Sequence, residues 1–158
     1  MQLRTAARSS RPGGFSLIEL MVVVAIATIL FAVAVPSYLT YIRQSRRTEA
    51  RTAVLDLAGR EERFFSTNGA TYSVTPAQLG YTALPAAIGG GYYQLAVCSP
   101  ACAPSAVAAP SYTVTATPVA GQTQARDTQC ASFSVDSTGR QFAVDSTGAD
   151  ATQFCWAN

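Results

Sequence analysis

The sequence predicts an α+β fold in which one long N-terminal helix lies against a four-stranded antiparallel sheet. Three observations predict it. Residues 20–35 carry no charge and nothing more polar than Thr28. Residues 37–65 contain no Pro and a single Gly, Gly59, and their apolar side chains recur at helical spacing. Beyond Gly91, short alternating runs separated by turn residues take over.

Composition narrows the chemistry before any motif does. Of 158 residues, 49% are hydrophobic and only 13% charged, and there is no His. That removes imidazole bases, Ser-His and Cys-His nucleophile pairs, and His-ligated metals. All eleven cationic side chains are Arg, which also removes lysine Schiff bases and P-loop phosphate binding. The composition points away from an enzyme, and no cofactor is expected. Arg4, Arg8 and Arg11 precede the apolar run with no acid among them. From Phe15 onward eight arginines face nine acids, a formal charge of −1. The net charge of +2 therefore belongs to the first fourteen residues and is no sign of nucleic-acid binding.

The N-terminal segment admits three readings. A secretory signal would have its positive region, an apolar region and a small-x-small site at Ala32-Val33-Ala34. An uncleaved anchor would use residues 15–35, roughly 31 Å as helix, with the positive leader cytoplasmic. Neither accounts for Glu19. A carboxylate costs about 2.5–3.5 kcal/mol near the bilayer centre and such a charge normally has a partner. One candidate partner is an α-amino group created by cleavage after Gly14.

The run Gly14-Phe15-Ser16-Leu17-Ile18-Glu19-Leu20, followed by the apolar helix and Pro36, resembles the type IV pilins and the related pseudopilins. The resemblance implies that residues 1–14 are a prepilin leader, cut between Gly14 and Phe15 by a prepilin peptidase on the cytoplasmic side. It implies that Phe15 is then N-methylated and that Glu19 pairs with the terminal amine of a neighbouring subunit during assembly. Residues 15–35 become the transmembrane and filament-core segment, 36–68 the amphipathic second half of the helix, and 69–158 a globular β head.

Pro36 cannot donate a backbone hydrogen bond, so a helix continuing through it should kink there. Continuation is expected to about Ser66. Ala50, Ala53, Val54, Leu57, Ala58 and Phe65 mark one apolar face, and Asn68-Gly69 supplies the stop. Residues 69–91 read as an irregular connection with a short helical turn at Pro76-Ala77-Gln78-Leu79. The four strands are expected at 92–97, 111–116, 131–135 and 141–144, with a Pro/Ala/Ser loop at 99–110 between the first two. Val135-Asp136-Ser137-Thr138-Gly139 recurs nine residues later as Val144-Asp145-Ser146-Thr147-Gly148. Asp opening and Gly closing suit a turn. A calcium site is the weaker alternative, because only Asp136, Asp145 and Asp150 lie there and the EF-hand spacing is missing. The pilin resemblance implies the same helix-on-sheet form.

Cys98, Cys102, Cys130 and Cys155 all follow the membrane helix, on the side opposite the basic leader, where disulfides are expected. Four cysteines allow three pairings. The favoured pairs are Cys98–Cys102 and Cys130–Cys155, the second resembling the disulfide that encloses the C-terminal D-region of short pilins. Zinc ligation by the four thiols lacks a CxxC pair.

Arg43, Arg46, Arg47 and Arg51 read as a solvated or inter-subunit face. A DNA-binding surface is the sharper alternative, but Glu49 and Asp56 interrupt the cluster and the head adds only Arg126 and Arg140. Tyr72, Tyr81, Tyr92, Tyr93 and Trp156 read first as packing between sheet and helix, and second as an adhesive patch. The resemblance therefore implies a structural subunit, major or minor, of a type IV pilus used for adhesion, twitching motility or DNA uptake. Its partners would be copies of itself or other pilins, the peptidase/methylase, the assembly platform and the inner membrane before export to the filament. The alternatives are a type II secretion pseudopilin and a DNA-binding minor pilin.

Overall fold

The computed structural model describes residues 14–157; the leader assigned to 1–14 lies outside them except for Gly14. The chain divides into two compact units, Met1–Leu39 and Thr40–Asn158. Helix α1, Leu17–Thr67, contributes to both and contains Pro36. It starts two residues later than Phe15 and ends at the Asn68-Gly69 stop, where Gly69 has φ 69°. Asn68 closes it by donating from both its backbone N–H and its side-chain amide to the Phe64 carbonyl.

In the first unit α1 is apolar all round, and its side chains are exposed. Its most apolar 18-residue window has mean hydropathy 2.8 and is wholly unburied, so this helix is long and apolar enough to cross a membrane. The Thr and Ser hydroxyls here bond back to the helix: Thr28 Oγ1 donates to the Ala25 carbonyl at 2.8 Å and Ser37 Oγ to Val33 at 3.2 Å. A helix without water around it must satisfy its polar groups internally in this way.

In the second unit α1 is amphipathic. Ala50, Val54, Leu57 and Ala58 are buried on its inner face, at the three- and four-residue steps that align side chains along a helix. They join one core with Tyr93, Leu95, Val114, Ala116, Phe133 and Ala143. The sheet is antiparallel and in sequence order: β1 (Ala86–Ile88), β2 (Tyr93–Cys98), β3 (Thr113–Pro118), β4 (Ser132–Asp136) and β5 (Gln141–Val144). Its register places Leu95 opposite Ala116, and Ala116 opposite Phe133, which itself faces Ala143. These four therefore share the core face.

The sheet thus has five strands where the sequence predicts four. The missing strand is β1, whose Ala86-Ala87-Ile88 is too short and too poor in β-branched residues to show alternation. Three consecutive left-handed glycines, Gly89, Gly90 and Gly91, turn β1 into β2. A second difference is α2 (Thr152–Ala157), six residues long and unpredicted. The short turn expected at Pro76–Leu79 is a 3-10 helix.

The strands alternate less than a one-sided sheet should. In β4 Phe133, Ser134, Val135 and Asp136 are all buried. The cause is the segment between β2 and β3, which covers the outer face. Ser105 Oγ donates to Asp136 Oδ2 at 2.9 Å, and Thr113 Oγ1 donates to the Cys102 carbonyl at 3.0 Å. The Cys98–Cys102 disulfide ties this segment to the end of β2.

Candidate functional site

The first candidate site is the start of α1. Gly14 and Phe15 are exposed, Phe15 at 83%, and a Cβ at Gly14 would meet nothing within 4 Å. Glu19 lies in the first turn, where a carboxylate interacts favourably with the free N–H groups of the helix end. Its side chain is exposed and makes no hydrogen bond or ion pair among the described residues. An unpaired acid on an otherwise apolar helix is what an intermolecular ionic contact requires.

The second candidate is the face of α1 that carries the arginine cluster, and here the structure overturns the solvated-face reading for most of its members. Arg47 is 6% exposed and forms a two-point ion pair with Asp127, Nε to Oδ2 and Nη2 to Oδ1, both at 2.7 Å. Its Nη2 also donates to Gln129 Oε1 at 3.1 Å. Gln124 is fully buried beside the pair, donating Nε2 to Asp127 Oδ2 and to Tyr93 Oη, each at 3.0 Å. Burial pushes the Tyr93 phenol up to about 12, with the Gln124 hydrogen bond working the other way. Tyr93 is thus a neutral member of the network at any working pH.

Arg46 lies over the Tyr92 ring, 3.5 Å from its centroid, and donates to Thr123 Oγ1 at 2.6 Å. Arg51 donates to the Trp156 carbonyl at 3.1 Å. Arg46, Arg47 and Arg51 therefore brace the head, leaving Arg43 exposed. The sequence carried no signal for the pairing of Arg47 with Asp127, because eighty residues separate the two.

The third is the C-terminal loop. A disulfide joins Cys130 to Cys155, with both residues buried. Asp127 Oδ1 accepts the N–H groups of Gln129 and Cys130 at 3.2 and 3.4 Å. One aspartate therefore anchors the loop both to the helix and to its own start. At the other end Trp156 Nε1 donates to the Phe142 carbonyl at 2.9 Å, and its ring meets Phe133 edge-on at 6.1 Å. Tyr72 stacks on Phe65 and meets Tyr112, and Tyr81 lies beneath Arg60. These aromatics are packing groups.

In the repeated Asp-Ser-Thr-Gly segments the acids are turn acceptors. Asp136 Oδ1 accepts Thr138 N–H at 2.9 Å, Thr138 Oγ1 at 2.6 Å and Arg140 N–H at 3.1 Å. Asp145 Oδ1 repeats the pattern with Thr147 and Ala149. Gly139 and Gly148 close the turns at φ 77° and 85°. Among the described residues no group of three acids, cysteines or histidines is placed to hold a metal.

Helix, sheet and disulfide-bounded C-terminal loop together define a pilin-type subunit. A family model described as "Type IV minor pilin ComP, DNA uptake sequence receptor" matches residues 36–134. Another, described as "Prokaryotic N-terminal methylation motif", matches 9–35. The chain belongs to this type IV minor pilin family. It is also similar to the type IV major pilin protein PilA of Myxococcus xanthus (strain DK1622), with 41% identity over 64 residues, 40% of this chain and 29% of that protein. Similarity to the fimbrial protein EcpC of Eikenella corrodens is 36% over 88 residues, 56% of this chain and 55% of that protein. The chain thus spans about half or less of these relatives' length.

Proposed function

We propose that this chain is a structural subunit of a type IV pilus, without catalytic activity. The observation that carries it is the exposed, apolar first half of α1, whose single acid, Glu19, is unpaired in the first turn, together with a disulfide-braced head. Residues 15–35 hold the subunit in the inner membrane before assembly. In the filament the same surface packs against other copies, so burial between helices replaces burial in lipid. A prepilin peptidase cuts between Gly14 and Phe15 and Phe15 is N-methylated; Glu19 then pairs with the amine of a neighbouring subunit. Pro36, inside α1, is the position proposed for a kink, because its ring removes one helical hydrogen bond. The prepilin peptidase/methylase, the assembly platform, the inner membrane and copies of this or other pilins are its partners. The names of the relatives, a major pilin and a fimbrial protein, favour a pilus over a type II secretion system.

The test is the N-terminal residue and its mass in protein recovered from membranes. An N-methylated Phe15 is expected. A chain starting at Val35 would mean ordinary secretion and would end this proposal.

A DNA-uptake role is the second reading, favoured by the description of the matched family. From residue 40 onward eight arginines face eight acids, and only Arg43, Arg63, Arg126 and Arg140 are exposed. Binding of duplex DNA to the full chain in detergent, measured at several salt concentrations, tests it. Each neutralised phosphate contributes a slope of about −0.9 in log K against log salt. A salt-independent signal or none would rule this role out.

A further inference from the structure

Glu61 sits on the inner face of α1, fully buried, one turn beyond Leu57. Its Oε2 accepts the Ser73 N–H at 3.1 Å, and its Oε1 has no hydrogen-bond partner. The titratable groups that act on it are Glu62 on its own helix, Tyr72 on the connection after α1, and Tyr112 just before β3. None of them is a cation. Arg60, the neighbouring cation on α1, is engaged elsewhere, with Nε on Asp56 at 2.8 Å and Nη1 on the Leu79 carbonyl at 3.1 Å. A carboxylate in such a place lacks both water and a counter-charge, so the neutral acid is favoured.

What Glu61 holds matters as much as its surroundings. Ser73 is itself 7% exposed and its hydroxyl is a hub, bonding Gln78 and accepting the Thr75 N–H at 2.9 Å. Thr75 precedes the 3-10 turn Pro76–Leu79, whose Leu79 enters the core. Glu61 therefore holds the middle of the connection that leads to β1, between the Tyr72 ring on Phe65 and the Arg60 contact with Leu79. We propose that Glu61 is a proton-controlled latch, holding residues 68–80 against the helix while protonated and releasing them when the proton leaves. The carboxylate's route to water is displacement of Ser73 and the chain over it, and Glu62 repels the new charge.

The direction follows from burial, which pushes Glu61 up, with the Ser73 hydrogen bond opposing and Glu62 adding to the rise. A folded-state value above the unfolded one makes the closed form most stable below the ordinary glutamate range. That stability is lost as pH rises toward the raised value. Tyr72 and Tyr112 are themselves pushed upward by burial, so they stay neutral throughout.

Hydrogen exchange of the full chain in detergent micelles tests this, with rates corrected for their intrinsic pH dependence. Protection of the 73–80 amides should fall by about tenfold per pH unit across the window between the two values. In Glu61→Gln, which keeps the Ser73 acceptor but cannot ionise, protection should be flat with pH. Wild-type protection that ignores pH, or a Gln variant that follows the wild-type profile, overturns the latch. Should the variant not fold, the carboxyl chemical shift of Glu61 in the wild-type chain decides instead. Titration in the ordinary glutamate range would overturn the proposal, and titration above it would uphold it.

Discussion

Arg47 on α1 and Asp127 ahead of the first C-terminal-loop cysteine form a two-point ion pair buried from water, both contacts at 2.7 Å. A bidentate guanidinium–carboxylate pair fixes orientation as well as distance, so it sets where the C-terminal loop docks on the helix. Removing one partner leaves the other buried and uncompensated. Asp127→Ala should destabilise the head by about 3–5 kcal/mol. Chemical unfolding of the full chain in detergent reads it, and a loss below about 1 kcal/mol would mean that water replaces the aspartate.

The two disulfides should differ in value because they close loops of different length. On the chain-entropy model a separation of 25 residues gives about 3.5 kcal/mol. The separation of 4 between Cys98 and Cys102 gives roughly half of that. Paired Cys→Ser variants, compared by their guanidinium midpoints, should therefore rank Cys130/Cys155 as the costlier loss. The reverse order would show that the Cys98–Cys102 tie, through the segment over the outer sheet face, governs packing of β4.

Much of this was legible in the sequence, for identifiable reasons. The long helix announces itself through an unbroken apolar run and then a 3.6-residue pattern, both signals local to the chain. β5 and the 3-10 turn at Pro76 were readable in the same way. What stayed hidden depends on contacts between distant residues. Arg47 reads as one of four surface arginines until Asp127 meets it. Asp136 reads only as the opening of a turn until the segment after β2 covers it through Ser105. The strand β1 gains its form from pairing Ala86 with Leu95 and Ile88 with Tyr93, and not from its own propensity.

At the N-terminus, replacing Glu19 by Ala should leave cleavage after Gly14 intact while impairing incorporation into filaments. The exposed helix would keep its apolar surface but lose the proposed directional contact of Glu19. Shear-released filaments and membrane fractions, probed for the processed subunit, separate the two steps. Normal piliation by the variant would remove Glu19 from the assembly mechanism. A bulky residue at Gly14 should do the opposite and leave the leader attached.

Asp136 should govern the acid limb of head stability. Burial works to raise its carboxyl, but the hydrogen bonds from Thr138, Ser105 and Arg140 outweigh it and hold the group below the usual carboxylate range. A folded value below the unfolded one gives stability that is present above about pH 4 and lost as pH falls through the folded value. Asp136→Asn should weaken the head at neutral pH by about 1–3 kcal/mol, since Ser105 and the turn lose an ionised acceptor. It should also flatten the decline in unfolding midpoint at acid pH. Asp145 makes the same turn without Ser105, and its carboxyl is likewise held below the usual range by Thr147 and the turn N–H groups, so Asp145→Asn should soften the acid decline in the same direction while costing less at neutral pH than Asp136→Asn. If the two variants cost the same at neutral pH, the turn alone explains the effect and the tie to the outer-face segment contributes nothing.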